Sequence, residues 1–304
     1  MPAFRTLLAT LILTFPCLLR AGSGECLVIP FQLSEKGVIL KIRLNDCPSP
    51  LSFLLDTGAD GMAIRKSLAD SLQLEIGYAQ DAYFVGGKKE IQISTGNKVF
   101  LSDSLSLTEQ NIAIFDEISN MDGIIGLNLL KHYVTRFDFD KDELQLYLPD
   151  TFTPPADTLA TLPITMNRSL LLIAGELNLT GKSSVKGNFL LDTGAHYHLI
   201  AFTRFVRKNR LLLSGFKPEG MSSTVSMGHA TPVYYGKANR FVIGNNLFMN
   251  DMPITLQASS GSSAESADEK APDGSIGILF FKRYNFTINL PKKEVYLEKR
   301  LSDI

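Results

Sequence analysis

Leu54-Leu55-Asp56-Thr57-Gly58-Ala59 recurs later in the chain as Leu190-Leu191-Asp192-Thr193-Gly194-Ala195. Each copy is a short apolar run, the pattern of a buried strand, ending on an aspartate followed by residues suited to a tight turn. A strand that closes on a carboxylate fixed by its own turn presents an acid at a defined point. Two such strand-turns in one chain can bring the two acids face to face. Carboxylates at hydrogen-bonding distance do not both ionise. They share a proton, so that one serves as general base and the other as general acid.

The repeat extends beyond the hexapeptide. Asp122-Gly123-Ile124-Ile125-Gly126-Leu127 returns as Asp273-Gly274-Ser275-Ile276-Gly277-Ile278, and Lys131 and Tyr133 return as Lys282 and Tyr284 at the same offset of 151 residues. The hexapeptides are offset by 136, so the second half carries 15 extra residues between its motifs. The polar, aperiodic stretch 259–268 accounts for most of them as a surface loop. Short apolar or alternating runs such as Val38 to Leu44, Leu170 to Ala174 and Arg240 to Ile243 recur between Gly, Pro, Asn and Asp clusters, which predicts a mainly β chain. Helical pattern is confined to Ile64 to Leu74, Ala201 to Leu212 and Leu127 to Tyr133. Pro149 to Asp157 breaks every period, dividing the chain into a first lobe at 25–150 and a second at 158–304.

The formal charge of −1 over 304 residues offers no basic field for nucleic acid or an anionic membrane. Residues 1–24 have the organisation of an export signal: Arg5, an apolar stretch from Thr6 to Leu19, then the small residues Ala21-Gly22-Ser23-Gly24. The apolar stretch is short for a membrane span, so no stable membrane insertion is expected after cleavage. The mature chain then keeps Cys26 and Cys47, an even pair in an exported protein. The runs Leu27 to Leu33 and Val38 to Leu44 flank a polar turn. A hairpin pairing residues whose numbers sum to about 73 would bring the two cysteines together as a disulfide.

With both hexapeptides, the paired Gly motifs and their common register in place, the chain resembles the retropepsin-like aspartic proteases of bacteria, with two lobes fused as in pepsin, from about Cys26 to Leu297. The resemblance implies an all-β, bilobal acid-protease fold, two retropepsin-like β-barrel lobes with few short helices. It implies an aspartic endopeptidase in which Asp56 and Asp192 activate a water. A non-catalytic peptide-binding or partner-binding module on the same scaffold is the alternative. Thr57 and Thr193 would lock the two loops together, and Gly58 and Gly194 would offer N–H groups to the carboxylates. Asp60 matches the retroviral pattern Asp-Thr-Gly-Ala-Asp, in which the second acid binds substrate backbone and a neighbouring arginine; the second copy has His196 there. Flap hairpins are expected at Tyr83-Phe84-Val85-Gly86-Gly87 and around Ser226 and Gly228. Ile124-Ile125-Gly126 and Ser275-Ile276-Gly277 would pass behind the catalytic loops, Ser275 departing from the apolar pattern. Pepsin-like enzymes carry a hydroxyl donor to the aspartate where this chain has Ala59 and Ala195, which implies higher carboxyl pKa values and activity nearer neutral pH.

No metal or organic cofactor is implied. Asp138 to Asp142 imitates a calcium loop but has Glu143 where the required Gly would stand, and its repeat partner reads as a hairpin turn. His132, His196, His198 and His229 lack zinc-ligand spacing. The expected partner is a peptide or protein substrate, the expected state a monomer, and the expected location outside the cytoplasm.

Overall fold

The computed structural model describes residues 26–84, 87–116, 118, 121–167, 169–226, 229–244, 247–258 and 271–301. The export-signal segment 1–24 and the extra loop 259–268 therefore lie outside the described residues. The rest is mainly β, with short α-helices at Lys66–Ser71, Leu127–Leu130, Thr203–Lys208 and Ile278–Phe281. These are shorter than the sequence pattern predicts. The flanking residues Met62–Arg65 and Leu199–Ala201 are strands, and apolar residues there serve the sheet.

In each half, one short strand is threaded between the strand entering the aspartate turn and the strand leaving it. Gly123–Ile125 pairs parallel with Leu51–Leu55 and antiparallel with Met62–Arg65. Gly274–Gly277 does the same with Ser184–Asp192 and Leu199–Ala201. The outgoing strands then pair parallel with Ser106–Phe115 and Leu247–Gln257 respectively. The apolar runs of the hexapeptides are continuous because both faces are covered: Phe53, Leu55, Phe189 and Leu191 are completely buried.

A third, six-stranded antiparallel layer joins the halves. Its order is Cys26–Ser34, Glu143–Tyr147, Val134–Asp138, Tyr284–Asn289, Glu294–Lys299, Thr158–Asn167. The seam is the central pairing of Val134–Asp138 with Tyr284–Asn289, where Phe137 and Phe286 stack with ring centroids 4.3 Å apart. Arg136, Asp138 and Glu298 are buried together there as an ion-paired cluster.

The expected disulfide is not formed: Cys26 and Cys47 are both free. The hairpin register is Phe31↔Leu40 through Ser34↔Gly37, two residues short of the expected one. It also ends at Phe31, because the first half of the strand leaves for the joining layer and sets Cys26 opposite Tyr147. Cys47 sits in the turn after Leu44, its Sγ facing the Ser49 carbonyl at 3.6 Å. Asp138 likewise belongs to a hairpin turn, where its Oδ1 accepts the backbone N–H groups of Asp140 and Lys141. No helix among the described residues is long and apolar enough to cross a membrane.

Candidate active site

Each aspartate turn is held by its own backbone bond and by bonds from the threaded strand or the residues just after it. Asp56 N donates to Ile125 O at 2.9 Å, Ala59 N turns back to Asp56 O at 3.2 Å, and Leu127 N donates to Ala59 O at 2.9 Å. In the second half Ala195 N returns to Asp192 O at 3.4 Å and Ile278 N reaches Ala195 O at 2.9 Å. Gly126 and Gly277 are required by this crossing. A β-carbon on Gly126 would overlap the Ala59 carbonyl oxygen, and one on Gly277 the carbonyl oxygens of Ala195 and Tyr197.

The two turns interlock. Thr57 Oγ1 donates to Leu191 O at 2.7 Å and accepts from Thr193 N at 3.0 Å, while Thr193 Oγ1 donates to Leu55 O at 2.8 Å and accepts from Thr57 N at 3.1 Å. Both threonines are completely buried. This exchange brings Asp56 and Asp192 into mutual hydrogen-bonding contact. Gly58 N donates to Asp56 Oδ1 at 2.8 Å, and Gly194 N–H bonds Asp192. Both carboxyls are hemmed in by protein, and each residue as a whole keeps part of its surface exposed.

Burial raises the pKa of both carboxyls above the ordinary range. Asp192, further opposed by the neighbouring Asp56 charge, is pushed up to about 8. A buried acid pair of this kind holds a proton at pH values where isolated aspartates have lost theirs, so a base and an acid coexist at one point.

Two residues outside the sequence expectations touch the pair. Ser275 Oγ donates to Asp192 Oδ2 at 3.1 Å, and Tyr197 OH donates to the same oxygen at 3.4 Å. Ser275 counteracts part of the rise that burial imposes on Asp192. The signal was the departure of Ser275 from Ile124 in the repeat; Tyr197, opposite Gly61, lay in an alignment of turns where the sequence has no periodicity to read. Lobe two thus obtains from Ser275 and Tyr197 the hydroxyl donors that Ala195 does not supply.

Asp60 pairs with Lys131 Nζ at 2.8 Å, a lysine in place of the expected arginine, and both are substantially exposed. At the place expected for the first flap stands a hairpin, Ile76–Phe84 against Gly87–Phe100, closing at Phe84↔Gly87. Its tip residues Val85 and Gly86 lie outside the described residues, as do the side chains of Tyr83 and Phe84. The second is Gly220–Ser226 against His229–Ile243, closing at Ser226↔His229, with Gly228 outside the described residues.

Residues 40–129, which hold the first hexapeptide and its threaded strand, match the aspartyl protease family model. The chain is similar to the retropepsin-like and pepsin-like aspartic proteases. Its structure superposes on the crystal structure of an aspartic proteinase from Irpex lacteus with a TM-score of 0.59 at 13% identity, covering 91% of this chain and 98% of that one. No curated protein matches the sequence. At that identity the likeness is one of fold, and it spans both halves of the aspartic proteinase architecture.

Proposed function

We propose that the chain is an aspartic endopeptidase, exported and active as a monomer. The observation that carries this reading is the buried pair Asp56 and Asp192, each acting on the other's ionisation and clamped between two turns of identical sequence. A peptide lies extended across the cleft between the two flap hairpins and pairs with backbone much as an added strand does. A water held by the pair attacks the scissile carbonyl carbon. The ionised aspartate takes the water's proton while the protonated one gives its proton to the carbonyl oxygen. Collapse of the tetrahedral adduct breaks the C–N bond, and a proton passes to the leaving amine. Export is supported by the signal-like pattern of residues 1–24.

The test is to incubate residues 25–304 with a diverse peptide pool across pH, with and without a statine-type transition-state analogue. Cleavage that the analogue blocks, and that Asp56→Asn and Asp192→Asn each abolish without loss of fold, is the expected result. Near wild-type turnover in either variant overturns the dyad assignment. Saturable peptide binding without cleavage by the wild type would make the chain a peptide-binding module.

A further inference from the structure

The two halves of the active site are not equivalent, and the difference lies in hydroxyl groups. Ser275 and Ile124 occupy the same place in their threaded strands: Ser275 pairs with Leu190 and Ile124 with Leu54, two residues before the respective aspartates. Tyr197 and Gly61 follow their aspartates by five residues each. In lobe two both positions place a hydroxyl on Asp192 Oδ2. In lobe one neither can, and a β-carbon at Gly61 would meet no atom within 4 Å.

The hydroxyls are well held. Ser275 is completely buried. Tyr197 is anchored through its backbone, its N–H on Ala195 O at 3.1 Å and its carbonyl accepting Leu279 N at 3.2 Å. Burial and the nearby aspartate charges raise the phenol's pKa, so it stays protonated and remains a donor throughout any working range of the dyad. Asp56, in contrast, accepts Gly58 N–H and shares a bond with Asp192.

We infer that Ser275 and Tyr197 are positioning residues for Asp192: they fix its outer oxygen and replace, from a different strand and a different turn, the hydroxyl that Ala195 lacks. A donor to the charged form favours that form. The pair therefore lowers the upper dyad pKa, at which Asp192 gives up its proton, and makes the two aspartates chemically unlike each other before substrate binds. This inference rests on the endopeptidase reading for its consequence in catalysis, though not for the bonds themselves.

The experiment follows the carboxyl resonances of 13C-labelled aspartate through a pH titration in the wild type, Ser275→Ala and Tyr197→Phe, alongside the pH profile of kcat/KM. Each substitution removes an oxygen and adds no bulk. Ser275→Ala is expected to raise the upper dyad pKa, at which Asp192 gives up its proton, and the basic limb of kcat/KM together by about one pH unit, the scale of one hydrogen bond to a charged group. Tyr197→Phe is expected to move them the same way by less, its bond being longer. Dyad titrations unmoved in both variants would overturn the inference. A shifted titration in a protein that cleaves no peptide would uphold the hydroxyl assignment and remove the protease reading instead.

Discussion

Arg136 and Glu298 form a two-pronged ion pair across the seam between the lobes, Nε to Oε2 at 2.8 Å and Nη2 to Oε1 at 3.1 Å. Both side chains are about nine-tenths buried, and Arg136 Nη1 also bonds Asp138 at 2.5 Å. Arg136→Met leaves two carboxylates in the seam without their cation and should cost about 3–5 kcal/mol in urea unfolding. Glu298→Gln, which leaves Asp138 as counter-ion, should cost less.

The dyad glycines are not interchangeable. A β-carbon on Gly194 would overlap the carboxyl carbon of Asp56, whereas one on Gly58 would stand 3.1 Å from Asp56 Oδ1 and 3.2 Å from Asp192 Oδ1. Gly194→Ala should therefore abolish peptide cleavage, a loss above about 100-fold, since small misplacements of reacting groups are this costly. Gly58→Ala should keep measurable turnover, and comparing kcat for the two variants decides the point.

The protonation of Asp192 also reaches stability. Its folded pKa lies above its unfolded one, so between about 4 and 8 the folded state holds more protons than the unfolded state and stability falls as pH rises. Below the unfolded value the contribution is fully present. Asp192→Asn cannot ionise and should melt higher than the wild type at pH 7.5, with the gap closing toward pH 4. Calorimetric Tm values across that range would show it, and equal Tm values at pH 7.5 would contradict it.

Since lobe two already supplies hydroxyls to Asp192, adding one has unequal effects on the two sides. Ala59→Ser introduces a donor beside an aspartate that has no hydroxyl partner among the described residues and should move the acid limb of kcat/KM downward. Ala195→Ser adds to two existing donors and should move it less. The order of the two shifts is read from pH profiles measured in parallel.

Cys26 and Cys47 should both react with a thiol reagent in the native, non-reduced protein, and a reducing agent should leave Tm unchanged. A bridged pair by mass analysis would contradict the register of the first hairpin.

The fold was legible because duplication displays its own register: the common offset of Asp122, Lys131 and Tyr133 with their partners aligned every element that holds Asp56 and Asp192. The interlocked threonines follow from the same motif. What could not be read was where one strand changes sheets. Cys26 to Phe31 looks continuous with the hairpin in hydrophobic pattern, and only the competing edge at Glu143–Tyr147 draws it away. Tyr197 was hidden for a related reason, since a turn of three bonds carries no period and its reach to Asp192 depends on the threaded strand beneath it.

The seam has a consequence for how this chain can assemble. Arg136 pairs directly with Thr287, its own counterpart in the repeat, so the local twofold axis passes between them. Thr287 Oγ1 is buried and bonds nothing among the described residues. Arg136 finds its acid in Glu298, whose counterpart in the first half is Tyr147. Two copies of the first half would thus set arginine against arginine with no glutamate, and two copies of the second would set threonine against threonine at the axis and leave each glutamate without an arginine. The halves have become complementary and ceased to be self-complementary: in assembly terms the molecule is a heterodimer whose partners are delivered on one tether.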